Sequence, residues 1–431
     1  MKEALHHRCP RPHLLGALLA VTVASGCGVQ EIIMEPFRGD TPHERYTELL
    51  ERSGLDETAL AHDWMRAARE ALASPVTADP PMSEAGWLPA ESPTALGYRV
   101  QMERGQRLSV NVELEGDNDT RVFLEVFRVR GRGEDDEEGP SLLTVAWADP
   151  PARSITYDAS TTATFLVRVQ PELLRGGPYE LHLEVGPSLA FPVEGAELRD
   201  IGSFFGAARD GGARSHHGVD IFAPRGTPVL AASDGRVRRV RETPVGGKNV
   251  WLRSDGSGHS EYYAHLDSQV VVTGQQVSAG DTVGFVGNTG NAVTTPPHLH
   301  FGIYSRGPVD PLPYLRDPGG APAALQVDAD WFNRRAILTG ADAPILAGAG
   351  PSADTLQIAP ADLPLRVLAG SGAWARVRLP DGGQGFVDPA RLRKANDPVA
   401  WYRAAHETAT RSPAGDPPAE APGLTSGVHP G

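Results

Sequence analysis

Between residues 95 and 186 apolar and polar positions alternate. Leu108-Val110-Val112-Leu114, Val122-Leu124-Val126, Leu143-Val145-Trp147, Phe165-Val167-Val169 and Tyr179-Leu181-Leu183-Val185 place apolar side chains at every second residue. That is the period of strands with one buried face, and five such runs predict a β-sandwich over residues 91–187. Upstream the period becomes helical, and residues 28–90 read as a helical segment. Thr41-Pro42-His43-Glu44 has the form of a capping box with proline in the first turn, and Gly54 suits the stop. A second helix is predicted from about Asp56 to Ser74, ending at Pro75, with Trp64, Ala68 and Leu72 on one apolar face. The pair reads as a packing unit or spacer without chemistry of its own.

Downstream, residues 196–316 contain short β-branched runs punctuated by glycine, at 237–240, 249–252, 270–272, 283–286 and 298–304. Asp317-Pro318-Gly319-Gly320-Ala321-Pro322 is a linker. Residues 325–395 then predict a small barrel from the runs at 365–368 and 373–379, the turn Pro380-Asp381-Gly382-Gly383, and Gly385-Phe386-Val387. Residues 396–431, rich in proline, alanine and glycine, read as a disordered tail. The expected fold class is mainly β and multidomain: helical segment, β-sandwich, antiparallel β-sheet groove, SH3-like barrel.

The first 27 residues carry a basic start (Lys2, Arg8, Arg11) and an apolar run at 14–23 that is too short to span a bilayer. Ala24-Ser25-Gly26 before Cys27 resembles a bacterial lipobox, which makes Cys27 the expected lipidation site. Gly28 in place of aspartate suggests, by analogy with Gram-negative sorting, an outer-membrane anchor facing the periplasm. Cys27 is the only cysteine past the signal region, so no disulfide is expected in the mature chain.

Length and charge narrow the classes. The 431 residues allow three or four domains, and a net charge of −14 argues against nucleic acid or an anionic membrane surface as partner. Any membrane attachment rests on the lipid. The acidic run Glu134-Asp135-Asp136-Glu137-Glu138 lacks the spacing of a calcium loop and reads as solvated. Neither a HExxH helix nor a GxSxG elbow is present.

The chemistry concentrates between residues 201 and 315, which hold six of the fourteen histidines. In a strand His298 and His300 project to one face, while Leu299, Phe301 and Ile303 turn to the core. Straight strand would hold His216 and Asp220 roughly 13 Å apart, but Gly218 lets the chain bend so that both meet one centre. Two histidines and a carboxylate are the donor set of a catalytic zinc site with one open position. His265, after Tyr262-Tyr263, and His298 are left as imidazoles for proton transfer and oxyanion stabilisation. His217 and His259 read as solvated surface residues.

These residues resemble the LytM/lysostaphin-type zinc endopeptidases of peptidoglycan over about residues 196–316. The resemblance lies in Ser203-x-Phe205-Gly206, H-x-G-x-D (His216 to Asp220), G-T-P-V (Gly226 to Val229), Y-A-H-L (Tyr263 to Leu266), G-x-T-G (Gly287 to Gly290) and P-H-L-H-F (Pro297 to Phe301). It implies a duplicated hybrid motif fold, zinc on His216, Asp220 and His300, and His265 and His298 as the catalytic pair. The long segment 288–296 before the HxH departs from the family pattern beside the site. Residues 325–395 resemble a bacterial SH3-type domain, and the sandwich is weakly similar to a pre-peptidase C-terminal domain.

The expected function is therefore a lipid-anchored zinc endopeptidase that hydrolyses peptide cross-links of peptidoglycan during cell-wall remodelling, with a cell-wall protein as a further expected partner. The first alternative is a non-catalytic wall-binding activator of a peptidoglycan amidase. A structural wall-binding lipoprotein is the second.

Overall fold

A computed structural model describes residues 41–115, 120–131, 141–256 and 258–395. The signal peptide with Cys27, the acidic run at 134–138 and the tail 396–431 lie outside the described residues. The chain is mainly β, in several sheets with few helices.

The helical pair forms as its sequence dictates. Thr41 caps α1 (Pro42–Arg52): its hydroxyl accepts from the Glu44 amide at 3.2 Å, and the Glu44 carboxylate accepts from the Thr41 amide at 2.7 Å. Thr58 caps α2 (Ala59–Ala73), whose Trp64, Ala68 and Leu72 are buried. The pair docks on a sheet through aromatic and polar contacts together. His43 stacks on Trp64 at 4.7 Å, and Trp64 Nε1 donates to the Pro171 carbonyl at 2.9 Å. Beneath them Glu125 and Arg168 form a buried ion pair, to which the Thr41 hydroxyl donates at 2.7 Å.

The stretch 28–90 is helical only in part, since Val76–Thr77 and Met82–Leu88 are strands. Pro75 ends helix formation, and from Met82 every second residue is buried, which is a strand period. In Ser141–Trp147 the buried residue is Leu142, and Leu143, Val145 and Trp147 are only half-buried. This strand is a sheet edge, and its register against Val122–Arg130 slips between Val126 and Phe127.

The sandwich core lies between two sheets. One orders Val76–Thr77, Leu96–Met102, Ala163–Pro171, Val122–Arg130 and Ser141–Trp147, and the other includes Met82–Leu88, Gly177–Pro187, Gln106–Leu114 and Ser154–Asp158. The second sheet does not stop at the sandwich. Met82–Leu88 also pairs with Pro364–Ser371 of the C-terminal unit, Gly86 opposite Ala369. A Cβ on Gly86 would lie 2.5 Å from that of Ala369, so only glycine permits this seam. Arg376 from the C-terminal unit reaches across it to Glu84 at 2.9 Å, and both side chains are fully buried. The hydroxyls of Tyr98 and Tyr179 donate to the same Glu84 oxygen at 2.6 and 2.7 Å.

Residues 325–395 fold around their own core of Val327, Leu338, Ile345, Leu365, Val367, Val377 and Leu392. The segment that matters for chemistry has a seven-strand antiparallel path. Its order is Ile201–Ser203, Val219–Phe222, His298–Tyr304, Ser260–Leu266, Gly247–Ser254, Gly235–Thr243, Gln276–Val277. A three-stranded sheet of Pro228–Leu230, Thr282–Phe285 and Ser268–Gln269 covers its core, in which Val219, Ile221, Leu299, Phe301 and Ile303 are fully buried. The run 270–272 is not a strand: Val270 and Val272 are exposed, and only Val271 turns inward. No described helix is long and apolar enough to cross a membrane.

Candidate functional site

The open face of the seven-strand sheet carries the histidines. Val219–Phe222 runs antiparallel to His298–Tyr304 with Asp220 directly opposite His300 and Phe222 opposite His298. His216 reaches the same point because the chain turns at Gly218, where a Cβ would lie 2.3 Å from the Phe301 carbonyl oxygen and 2.9 Å from the His300 ring. The result is a triangle of side-chain atoms. His216 Nε2, Asp220 Oδ1 and His300 Nδ1 are each 3.0 Å from the other two.

That triangle is short of protons. His216 Nδ1 sits 2.9 Å from the Phe204 carbonyl and donates there, so Nε2 presents a lone pair. The Asp220 carboxylate has none to give. Burial alone would raise its pKa, but hydrogen bonds and charge from His216 and His300 outweigh burial and hold it well below the usual carboxylate range. Burial lowers the His300 pKa as well. One N–H at most faces two acceptors. A divalent cation would satisfy all three, and tetrahedral zinc with 2.0–2.1 Å bonds needs ligand edges of roughly 3.3 Å. The donor set suits such an ion, and His216, Asp220 and His300 are the residues here that could hold a metal.

Residues outside the HxH and HxGxD patterns hold this set. Arg209 Nη2 donates to Asp220 Oδ2 at 2.5 Å and to Ser203 Oγ at 2.8 Å. Arg209 comes from the hairpin that joins Ala208–Arg209 to Arg214–Ser215. Nothing in the sequence marks it, because its role depends on that hairpin folding over the site.

His265 and His298 stand beside the triangle, their rings 5.1 Å apart and that of His265 5.9 Å from His300. Straight alternation would point His265 with Glu261 and Tyr263 into the core. The register against Gly247–Ser254 instead shifts between Lys248 and Val250, and His265 takes a left-handed φ of 63° that turns it into the groove. His265 Nδ1 donates to the Thr289 carbonyl and His298 Nδ1 to the Pro296 carbonyl, each at 2.9 Å, which leaves both Nε2 atoms as acceptors. Burial lowers the His265 pKa to about 4, so the ring is neutral near pH 7.

His217 is exposed, as expected, but His259 is not. His259 is buried, with Nε2 3.3 Å from the buried Glu261 and its ring edge on Tyr314. The turn closes through the Ser254 amide on the His259 carbonyl, which draws His259 to the strand side of the loop.

The groove has a volume of about 620 Å³. Tyr262, Ala264 and Tyr304 line it along with the histidines. The segment 288–296 supplies one wall through Asn291, Ala292 and Thr295. Asn288 holds this wall by donating to the Val293 and Thr295 carbonyls. Thr289 ties it to the strand Ser260–Leu266, its hydroxyl donating to the Leu266 carbonyl at 2.8 Å.

A model of Peptidase family M23 matches residues 214–311. The chain is 38% identical over 111 residues to the glycyl-glycine endopeptidase ALE-1 of Staphylococcus capitis, covering 24% of this chain and 30% of that protein. It is 36% identical over 148 residues to the L-Ala--D-Glu endopeptidase of Bacillus subtilis, covering 31% and 45%. The chain thus spans less than half the length of these curated relatives. The crystallised catalytic domain of lysostaphin from Staphylococcus simulans is 35% identical, with 26% of this chain and 90% of that one covered and a TM-score of 0.24. All five groove residues from His216 to His300 fall inside the matched segment, and through residues 214–311 the chain carries a domain of Peptidase family M23.

Proposed function

We propose that this protein is a zinc-dependent endopeptidase that hydrolyses peptide cross-links of bacterial peptidoglycan, held in the cell envelope by a lipid on Cys27. The observation that carries the reading is the triangle of His216, Asp220 and His300, three atoms at 3.0 Å with too few protons among them, beside two imidazoles whose Nε2 atoms are free to accept. The endopeptidase relatives add support.

In this reading His216, Asp220 and His300 hold the metal. Zinc bound there supplies Lewis acidity and makes water easier to deprotonate near neutral pH. His265 and His298 divide the remaining work. One accepts a proton of the attacking water at Nε2 and hands that same proton to the leaving amine, and the other, with a proton taken up from solvent on Nε2, donates a hydrogen bond to the oxygen of the tetrahedral centre. Arg209 keeps Asp220 oriented. The sandwich and a C-terminal SH3-like domain brace the peptidase domain or bind wall polymer. The wall formed by 288–296 limits which cross-link enters.

The test is digestion of isolated peptidoglycan by the zinc-loaded chain, with mass spectrometry of the released muropeptides. Loss of cross-linked dimers, absent with His300→Ala, supports the endopeptidase and identifies its bond. Intact dimers would leave the amidase-activator reading.

A further inference from the structure

The sheet that carries the histidines continues away from them as an aromatic and then a basic surface. Across it Tyr262 pairs with Trp251, and Trp251 with Arg239; one row along, Ser260 pairs with Arg253 and also with Tyr304. Residues paired or two apart share a face, so these side chains lie together. The contacts agree: the Tyr262 ring is 5.9 Å from His300, and Trp251 is 4.5 Å from Tyr262 and 5.0 Å from Tyr304. Beyond Trp251 a second hollow of about 550 Å³ is lined by Arg238, Arg239, Trp251, Arg253 and Ser260.

Two neighbouring residues of a regular strand would face opposite ways. Here the register of Gly235–Thr243 shifts between Val237 and Arg239, leaving Arg238 as the extra residue of a bulge, and both arginines line the hollow. Arg238, Arg239 and Arg253 are exposed, and none makes an ion pair among the described residues. Among the described residues no acidic side chain lines the hollow. Three unpaired cations gathered in a chain of net charge −14 mark a site for anions. The guanidinium fork suits carboxylates, and the adjoining ring surface suits the apolar parts of a chain that carries them.

We propose that Arg238, Arg239 and Arg253 with Trp251 form a carboxylate-binding extension of the peptidase groove that holds the free acid groups of a peptidoglycan stem peptide. This rests on the proposed function and names the substrate feature it selects. Three strand spacings separate the His300 strand from the Arg239 strand, roughly 15 Å, the reach of about four extended residues. The selected substrate is thus a stem peptide with a free carboxylate about four residues from the cleaved bond.

The experiment is calorimetric titration of the full zinc-loaded chain with uncross-linked disaccharide-peptides whose stem carboxylates are either free or amidated, in parallel with digestion of cross-linked dimers. The free acid is expected to bind about tenfold more tightly than the amide, the worth of one charge-assisted contact, and Arg239→Gln/Arg253→Gln to abolish that difference. Equal binding of the two forms, or a preference that survives the double substitution, overturns the inference. Because the monomers need no hydrolysis, the two readings separate. Acid preference without dimer cleavage sinks the proposed function alone, and cleavage without acid preference sinks this inference alone.

Discussion

Arg209 Nη2 donates to Asp220 Oδ2 at 2.5 Å, on the carboxylate oxygen not shared with His216 and His300. The arginine thereby fixes which oxygen faces the histidines. Partners of this kind, one contact removed from the metal, typically change affinity by about 10–100-fold. Arg209→Ala is expected to weaken zinc binding by that range, read by competition with a chelator of known affinity. Unchanged affinity would mean that the contact is incidental.

His265 acts on protons and not on the metal in this account. His265→Ala is expected to lower cleavage of muropeptide dimers by about 10²–10⁴-fold while zinc is still bound. Zinc content and rate measured on the same sample check both halves. Loss of zinc with His265→Ala would move the residue into the ligand set.

How much of this was legible beforehand varies with the kind of residue. The HxH pair was readable because period two places both rings on one face, and Leu299, Phe301 and Ile303 are indeed fully buried behind it. The motifs marked His265, but alternation alone would have buried it. Its direction depends on a bulge in its own strand, where Ala264 and His265 together stand opposite Asn249. Arg209 and the paired Arg238 and Arg239 were not legible, because a hairpin over the site and a second bulge aim them. His259 was misplaced for a similar reason: polar neighbours suggested a wet loop, and only the fold supplies Glu261 and Tyr314 around it. Met82–Leu88 was hidden by its place after two helices, although its burial alternates plainly once the C-terminal unit is beside it.

The seam between sandwich and C-terminal unit gives a stability prediction. Arg376→Met leaves Glu84 buried without its cation, and breaking such a pair costs about 3–5 kcal/mol. Denaturant unfolding should show that loss, and Glu84→Gln in the same chain should recover part of it by removing the stranded charge. A single substitution without cost would show that the pair does not hold the seam.

Burial, reinforced by the charge of Arg168, lowers the His43 pKa from 6.5 to about 3. The unfolded chain takes up a proton below pH 6.5, and the folded chain does not until about pH 3. The stabilisation is therefore complete above pH 6.5 and lost as pH falls through that window, by about 1 kcal/mol per pH unit. His43→Phe should flatten the fall in unfolding free energy between pH 6 and pH 4 by about one proton's worth. Equal slopes in the two proteins would contradict the assignment.

The most direct measurement is a zinc titration of the metal-free chain with cleavage of cross-linked muropeptide dimers as the readout. The rate is expected to climb linearly and stop at one zinc per chain, with neither binding nor cleavage in His300→Ala. One tightly bound zinc per chain with dimers left whole would contradict it, and so would cleavage that persists without metal.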